Sequence, residues 1–168
     1  MPAKIAGGTR KLRAPLNLDV TGIIMHEPEN YACPFCRFLN DEDERSAEVI
    51  FESTHSVGFL GLHGNEESGP TVLVASKVHY ENLYDLPPEI VADSFLLAKK
   101  TAIILKQEFK VDGTSIWQHN EPAGNQDVWH FHLHVKGRLK SDSLYKKTAY
   151  KLTSNEREDI RQRLWQYQ

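Results

Sequence analysis

No apolar run in this sequence approaches the roughly 20 residues needed to cross a bilayer as a helix. Met1 to Arg13 carry charges but no apolar signal core, so the expectation is a cytosolic protein without a membrane partner. A strong charge of one sign is missing as well. The net charge is −3 and the lysines and arginines are spread along the chain, which argues against broad adhesion to nucleic acid or anionic lipid and is compatible with a small charged ligand. Cysteine is nearly absent. The two present, Cys33 and Cys36, form Cys-Pro-Phe-Cys, which in a reducing compartment serves metal binding or redox exchange more often than a structural disulfide. No internal repeat is visible. What remains is ordinary: 168 residues, 40% hydrophobic and 26% charged, enough for one full hydrophobic core.

Residues 1 to about 20 mix Lys, Arg, Gly and Pro without a period, and turn formers continue through Pro28-Glu29-Asn30, so the first 30 residues are expected to form an extended arm. After the cysteine pair comes an acidic stretch, Asn40 to Glu44. β-Branched and aromatic residues between turn signals then predict strands at 49–51, 57–62 and 71–75. A long helix is predicted from Pro87 to Lys110, opened by Pro-Pro-Glu and stopped before Asp112-Gly113. Two more strands follow, 114–118 and 129–135, and Ser154-Asn155-Glu156-Arg157 is expected to cap a last helix reaching about Trp165. Strands, a helix, then strands again read as α+β: an antiparallel sheet of about five strands covered on one side, its other face left for a site or a second subunit.

His130-Phe131-His132-Leu133-His134-Val135 alternates strictly, the period of a strand, and this puts the three imidazoles on one face with Phe131, Leu133 and Val135 toward the core. Same-face neighbours stand about 6.5 Å apart, so a single metal reaches two of the three at most, and three in a row point to divided labour. A solvated histidine-rich strand is the competing reading. Upstream, Asn120-Glu121-Pro122-Ala123-Gly124-Asn125-Gln126-Asp127 is a polar loop leading into the histidine strand, suited to presenting backbone N–H groups to an anion, or else a plain hairpin loop.

The histidine strand resembles the His-x-His-x-His signature of the histidine triad (HIT) superfamily of nucleotide hydrolases and transferases. Cys33-Pro-Phe-Cys36, Thr71 to Ala75 followed by Lys77-Val78-His79, the long helix, Asn120 and Gly124-Asn125-Gln126 fall in the family's order, so the resemblance covers about residues 31 to 138. The chain is then expected to divide into an arm (1–30), a HIT-like catalytic domain (31–140) and a C-terminal extension with a helix (141–168), the first and last of which the resemblance leaves unexplained. The resemblance assigns His132 the attack on an α-phosphorus, forming a nucleotidyl-imidazole that water or another acceptor resolves. A backbone carbonyl accepting from Nδ1–H would hold the attacking tautomer, while His134, Asn120 and backbone amides near Gln126 stabilise phosphoryl oxygens. The implied substrates are nucleoside phosphoramidates, dinucleoside polyphosphates or related conjugates, with no organic cofactor. Cys33, Cys36, His79 and His130 match the zinc positions of the zinc-containing branches, where the metal is structural and His130 orients the catalytic strand. Unligated thiols and redox exchange are the alternatives.

The chain departs from the family pattern at several positions. Thr71 stands where many relatives have histidine. His63 falls where relatives hold the ribose with Asp or Asn, with Asn65 or Glu66 as nearby substitutes. Asp127 replaces the usual Ser or Thr after the glutamine, bringing negative charge toward a phosphate. Lys136 ends the signature in place of an apolar residue, read as the strand's exit into solvent at Gly137. These departures motivate a second reading, a nucleotide- or protein-binding module that keeps the fold without turnover. A third takes His130 and His132 as ligands of a catalytic metal. A homodimer is expected through the long helix and the strand Thr114-Ser115-Ile116-Trp117-Gln118. The tail, with Tyr150, Trp165 and Tyr167, serves ordinary packing or reaches across a partner to shape the base pocket.

Overall fold

The structure is a computed structural model and describes residues 22–40, 42, 48–65, 68–142 and 150–166. The arm expected over 1–20, most of the acidic stretch, Glu66 and Tyr167 lie outside the described residues. Among the described residues six strands and three helices follow in the order α1 (Pro34–Leu39), β1 (Val49–Glu52), β2 (Ser56–Asn65), β3 (Gly69–Ser76), α2 (Pro88–Glu108), β4 (Gly113–Gln118), β5 (His132–Arg138), β6 (Tyr150–Lys151) and α3 (Ser154–Trp165). A short 3₁₀ turn, Pro122–Gly124, lies between β4 and β5. The sheet runs β1-β2-β3-β5-β4 with antiparallel neighbours, and β6 adds to the far end of β2. The fold is the expected α+β arrangement. No described helix is long and apolar enough to cross a membrane.

Alternation decides what each sheet face does. Leu60, Val72, Val74, Leu133 and Val135 point to one side, where α2 brings Ile90, Leu97, Ala98, Ile104 and Leu105 and α3 brings Ile160 and Leu164. Completely covering side chains of this size stabilises by about 1.5–3 kcal/mol each, before chain entropy is charged against it. The opposite face carries Val57, Phe59 and Ala75, covered by Phe35 and Phe38 of α1. His132 and His134 lie on this second face because their neighbours Leu133 and Val135 are in the first core.

Besides the short helix α1 and strand β6, which were not predicted from the sequence, three details differ from the sequence expectation. Strand β5 begins at His132 rather than Trp129 and runs on to Arg138, because the chain is first drawn to the segment after β3 by the Phe131 amide, 2.6 Å from the Tyr80 carbonyl. Lys136 does not exit into solvent: it is 4% exposed, its Nζ lies 3.4 Å from the Gly69 carbonyl, and burial pulls its ammonium down to about 8. The strand continues past it because Gly137 fits where a Cβ would meet the Ser68 carbonyl at 2.7 Å. The cap of α3 is Thr153, one residue before the expected Ser154. Thr153 Oγ1 accepts from the Glu156 amide while the Glu156 carboxylate accepts from the Thr153 amide, a complete capping box.

Candidate active site

The cysteine pair sits at the start of α1, with Cys33 as its N-cap, and a spacing of three places both sulfurs on one side of the turn. His79 follows β3 and His130 precedes β5, two points that strand pairing brings side by side. Cys33 Sγ is 3.3 Å from His130 Nδ1, and Cys36 Sγ is 3.2 Å from His79 Nδ1 and 3.6 Å from His130 Nδ1. All four donor atoms lie within 4.8 Å of one another. A tetrahedral ion bound at about 2.0–2.3 Å spaces its ligand atoms by about 3.3–3.8 Å, so two sulfurs and two imidazole nitrogens fit such an ion. Burial, then the neighbouring Cys33, push the Cys36 thiol up to about 12, an unfavourable term that a cation between the sulfurs offsets.

Both histidines are turned toward the cluster by their outer nitrogens. His79 Nε2 lies 2.6 Å from the Glu27 carboxylate, and His130 Nε2 donates to the Ser76 carbonyl at 2.9 Å, so each Nδ1 is left to face the sulfurs. Glu27 is itself anchored: the buried Glu81 carboxylate accepts from the backbone amides of His26 and Glu27. Glu27, Ser76 and Glu81 had no signal in the sequence, because only the fold brings these distant residues to the cluster.

Along β5 the rings continue. Phe35 stands edge-on to both His130 and His132, at 5.7 and 5.2 Å, and His134 lies 4.9 Å beyond His132. His132 Nδ1 is 2.7 Å from the His130 carbonyl; a carbonyl only accepts, so the proton is on Nδ1 and Nε2 keeps its lone pair. Burial lowers the proton affinity of all three: His130 is held down to about 4 and His134 to about 3, and His132 is lowered as well, with the His130 carbonyl and the charge of Asp127 opposing the shift. The three rings are neutral at pH 7. Among the described residues the metal-capable cluster takes His130 and not His132.

The loop before β5 is held from within. Gln126 is buried, its Nε2 donating to the carbonyls of Glu81 and Val128 and its Oε1 accepting from the Glu121 amide. The amides of Gly124 and Gln126 are bonded to the Glu121 carbonyl and that of Asn125 to Pro122, so these serve the turn itself. Asn120 Oδ1 accepts from the Leu83 amide, leaving its NH₂ as the group free of that bond. His63 is exposed on β2 opposite Lys151, two strands from β5, so the fold does not bring it into the row of rings. His119, which sequence reasoning passed over, does join the row: its ring is edge-on to His134 at 5.5 Å.

The HIT domain family matches residues 42–141 of the chain. The chain is 32% identical over 110 residues to an uncharacterised HIT-like protein of Methanocaldococcus jannaschii, an alignment covering 66% of this chain and 81% of that one. It is 28% identical over 127 residues to the adenosine 5′-monophosphoramidase of Saccharomyces cerevisiae, covering 76% and 68%. Its fold is similar to that of a zinc-bound histidine triad family protein of Mycobacterium smegmatis, with a TM-score of 0.68 and 27% identity over 81% of this chain and 92% of the other. The family match takes in every strand from β1 to β5 and more than half of the chain, which belongs to the histidine triad (HIT) superfamily.

Proposed function

We propose that this protein is a nucleotide hydrolase or nucleotidyltransferase in which His132 Nε2 attacks the α-phosphorus of a nucleotide conjugate. The observation that carries this reading is the 2.7 Å bond from His132 Nδ1–H to the His130 carbonyl, which presents a neutral, oriented imidazole lone pair on the second face of the sheet. The leaving group departs as the P–N bond to His132 forms, and water or another acceptor then displaces the imidazole. His134, uncharged and flat against Trp117, and the NH₂ of Asn120 are assigned the role of giving an N–H to a phosphoryl oxygen. Gly124 and Gln126 shape the loop beneath the phosphate, and His63 is assigned to the nucleoside end. Asp127 raises the proton affinity of His132 through its charge, which strengthens it as a base and nucleophile.

Cys33, Cys36, His79 and His130 are assigned to a structural zinc ion, whose chemistry when bound is to remove the thiol protons and tie α1 to the sheet. The zinc-bound relative supports that choice of metal. The phosphoramidase relative favours a nucleoside phosphoramidate among the candidate donors. The reading includes a cytosolic homodimer, with residues 31–140 as the catalytic unit flanked by the arm and the C-terminal extension.

Intact-protein mass spectrometry after brief mixing with an adenosine phosphoramidate or a diadenosine polyphosphate tests the reading. The expected result is a nucleotidyl adduct on the wild type and none on His132→Ala. Ligand binding without adduct or turnover from either donor would instead establish a binding module.

A further inference from the structure

Two imidazoles at this site are braced by the same device. His132 gives its Nδ1 proton to the His130 carbonyl at 2.7 Å, and His119, just past β4, has its Nδ1 2.6 Å from the Gly124 carbonyl. Each ring is therefore held with Nε2 as the nitrogen left for chemistry. His134 stands between them, 4.9 Å from His132 and edge-on to His119 at 5.5 Å. These ring-to-ring steps suit a phosphoryl centre whose attacking and leaving atoms each approach a protein group within about 3–3.5 Å. The loop that supplies the Gly124 carbonyl is strained at two non-glycine residues, Glu121 with φ 63° and Asn125 with φ 68°. Such positions persist where the surroundings over-determine them, and here the bonds from the Gly124 and Gln126 amides to the Glu121 carbonyl do so.

We propose that His119 is a further catalytic residue, the acid–base partner that protonates the leaving atom; this rests on His132 being the nucleophile. In the first displacement the His132 Nε2 lone pair forms the N–P bond, the P–N or P–O bond to the leaving group breaks with its electron pair, and the leaving atom takes the proton of protonated His119 Nε2. In the second, water attacks phosphorus and passes its proton to His119 Nε2 as the bond to His132 breaks. Both imidazoles end as they began. Other neighbours suit the task less: Phe35 closes one side of His132 with a hydrocarbon edge, and His134 is kept uncharged by burial. Asp127 is the remaining ionisable neighbour of His132. The substrate class that follows is a nucleotide conjugate with a basic leaving group, an alkylamine or an alcohol, which departs slowly without a proton.

His119→Asn keeps a side-chain N–H for the Gly124 carbonyl and removes the transferable proton. Turnover is measured with two donors, an N-alkyl adenosine phosphoramidate and the p-nitrophenyl ester of adenosine monophosphate. The expected result is a loss on the order of 10²-fold in kcat/KM for the phosphoramidate, with the nitrophenyl ester near wild type and still forming the adduct on His132. Equal losses for both donors, or no loss for either, overturn the proton role while leaving the nucleophile in place. So does the selective loss if it occurs in Asp127→Asn and not in His119→Asn. A wild type that forms no adduct and turns over neither donor overturns the nucleophile reading itself.

Discussion

His134 lies flat against Trp117, the rings 5.0 Å apart and 4° from parallel. Burial, then the neighbouring His132 and His119, keep it uncharged well below the usual histidine range, down to about 3. The sign of the consequence is fixed by linkage. Its folded pKa lies below the unfolded value, so between about pH 6.5 and 3 the unfolded chain binds the extra proton and the native chain does not. The contribution of His134 is thus complete above pH 6.5 and is lost as pH falls, with a limiting slope of about 1.4 kcal/mol per pH unit. Urea midpoints measured from pH 7 to pH 4.5 should fall, and His134→Phe should reduce that fall; a midpoint that is flat over this range, or a fall unchanged in the variant, contradicts the assignment. At this scale the histidine strand was legible because a period-two pattern needs no tertiary knowledge. Lys136 was misread because its burial depends on the neighbouring strands rather than on its own side chain. Glu27 was unreadable because its partner His79 is 52 residues away.

Helix α2 and strand β4 are elements with one face still to cover. Phe95, Leu96 and Ile103 on α2 are 47%, 66% and 49% exposed, and together with Lys99 and Lys100 the helix presents a mostly apolar strip beside the inward-facing Leu97, Ala98 and Ile104. At the sheet edge β4 pairs, among the described residues, with β5 alone, and Ile116 is 40% exposed. A second copy covering both is the pairing expected for the homodimer. Sedimentation of the wild type at micromolar concentration should give a dimer, and Leu96→Asp should shift it to monomer; a monomeric wild type, or an unaffected variant, rejects this surface. The boundaries of α2 were readable from its Pro-Pro-Glu opening and its apolar positions. The cap of α3 was placed one residue late because Ser154 and Thr153 are equally good capping types, and only the three-residue reach from Thr153 to Glu156 decides between them.

Across the whole molecule the Cys33, Cys36, His79 and His130 cluster joins parts that lie far apart in the chain: the start of α1, the exit of β3 and the entrance to β5, with Glu27 adding the segment before α1. Metal binding at such a junction stabilises the folded chain as a whole. Elemental analysis should find one zinc per chain; a strong chelator should lower Tm, and Glu27→Gln should weaken metal affinity about 10–100-fold while leaving the ligands intact. A Tm indifferent to chelation removes the structural role. α3 closes the other side of the sheet, where Arg157 donates to the Leu60 and Gly61 carbonyls and pairs with Glu48. Sequence by itself determined the α+β class and the face on which the histidines stand, since these rest on local period and local capping; the cysteine pair was legible from residue type, while His79 and His130 joined it only through the family resemblance. Tertiary structure alone decided that Glu27 and Ser76 turn the two histidines, that Gln126 braces its own loop, that Lys136 is buried and that His119 reaches His134. Each of these is a contact between segments whose proximity comes from strand pairing and loop closure, which no local pattern encodes.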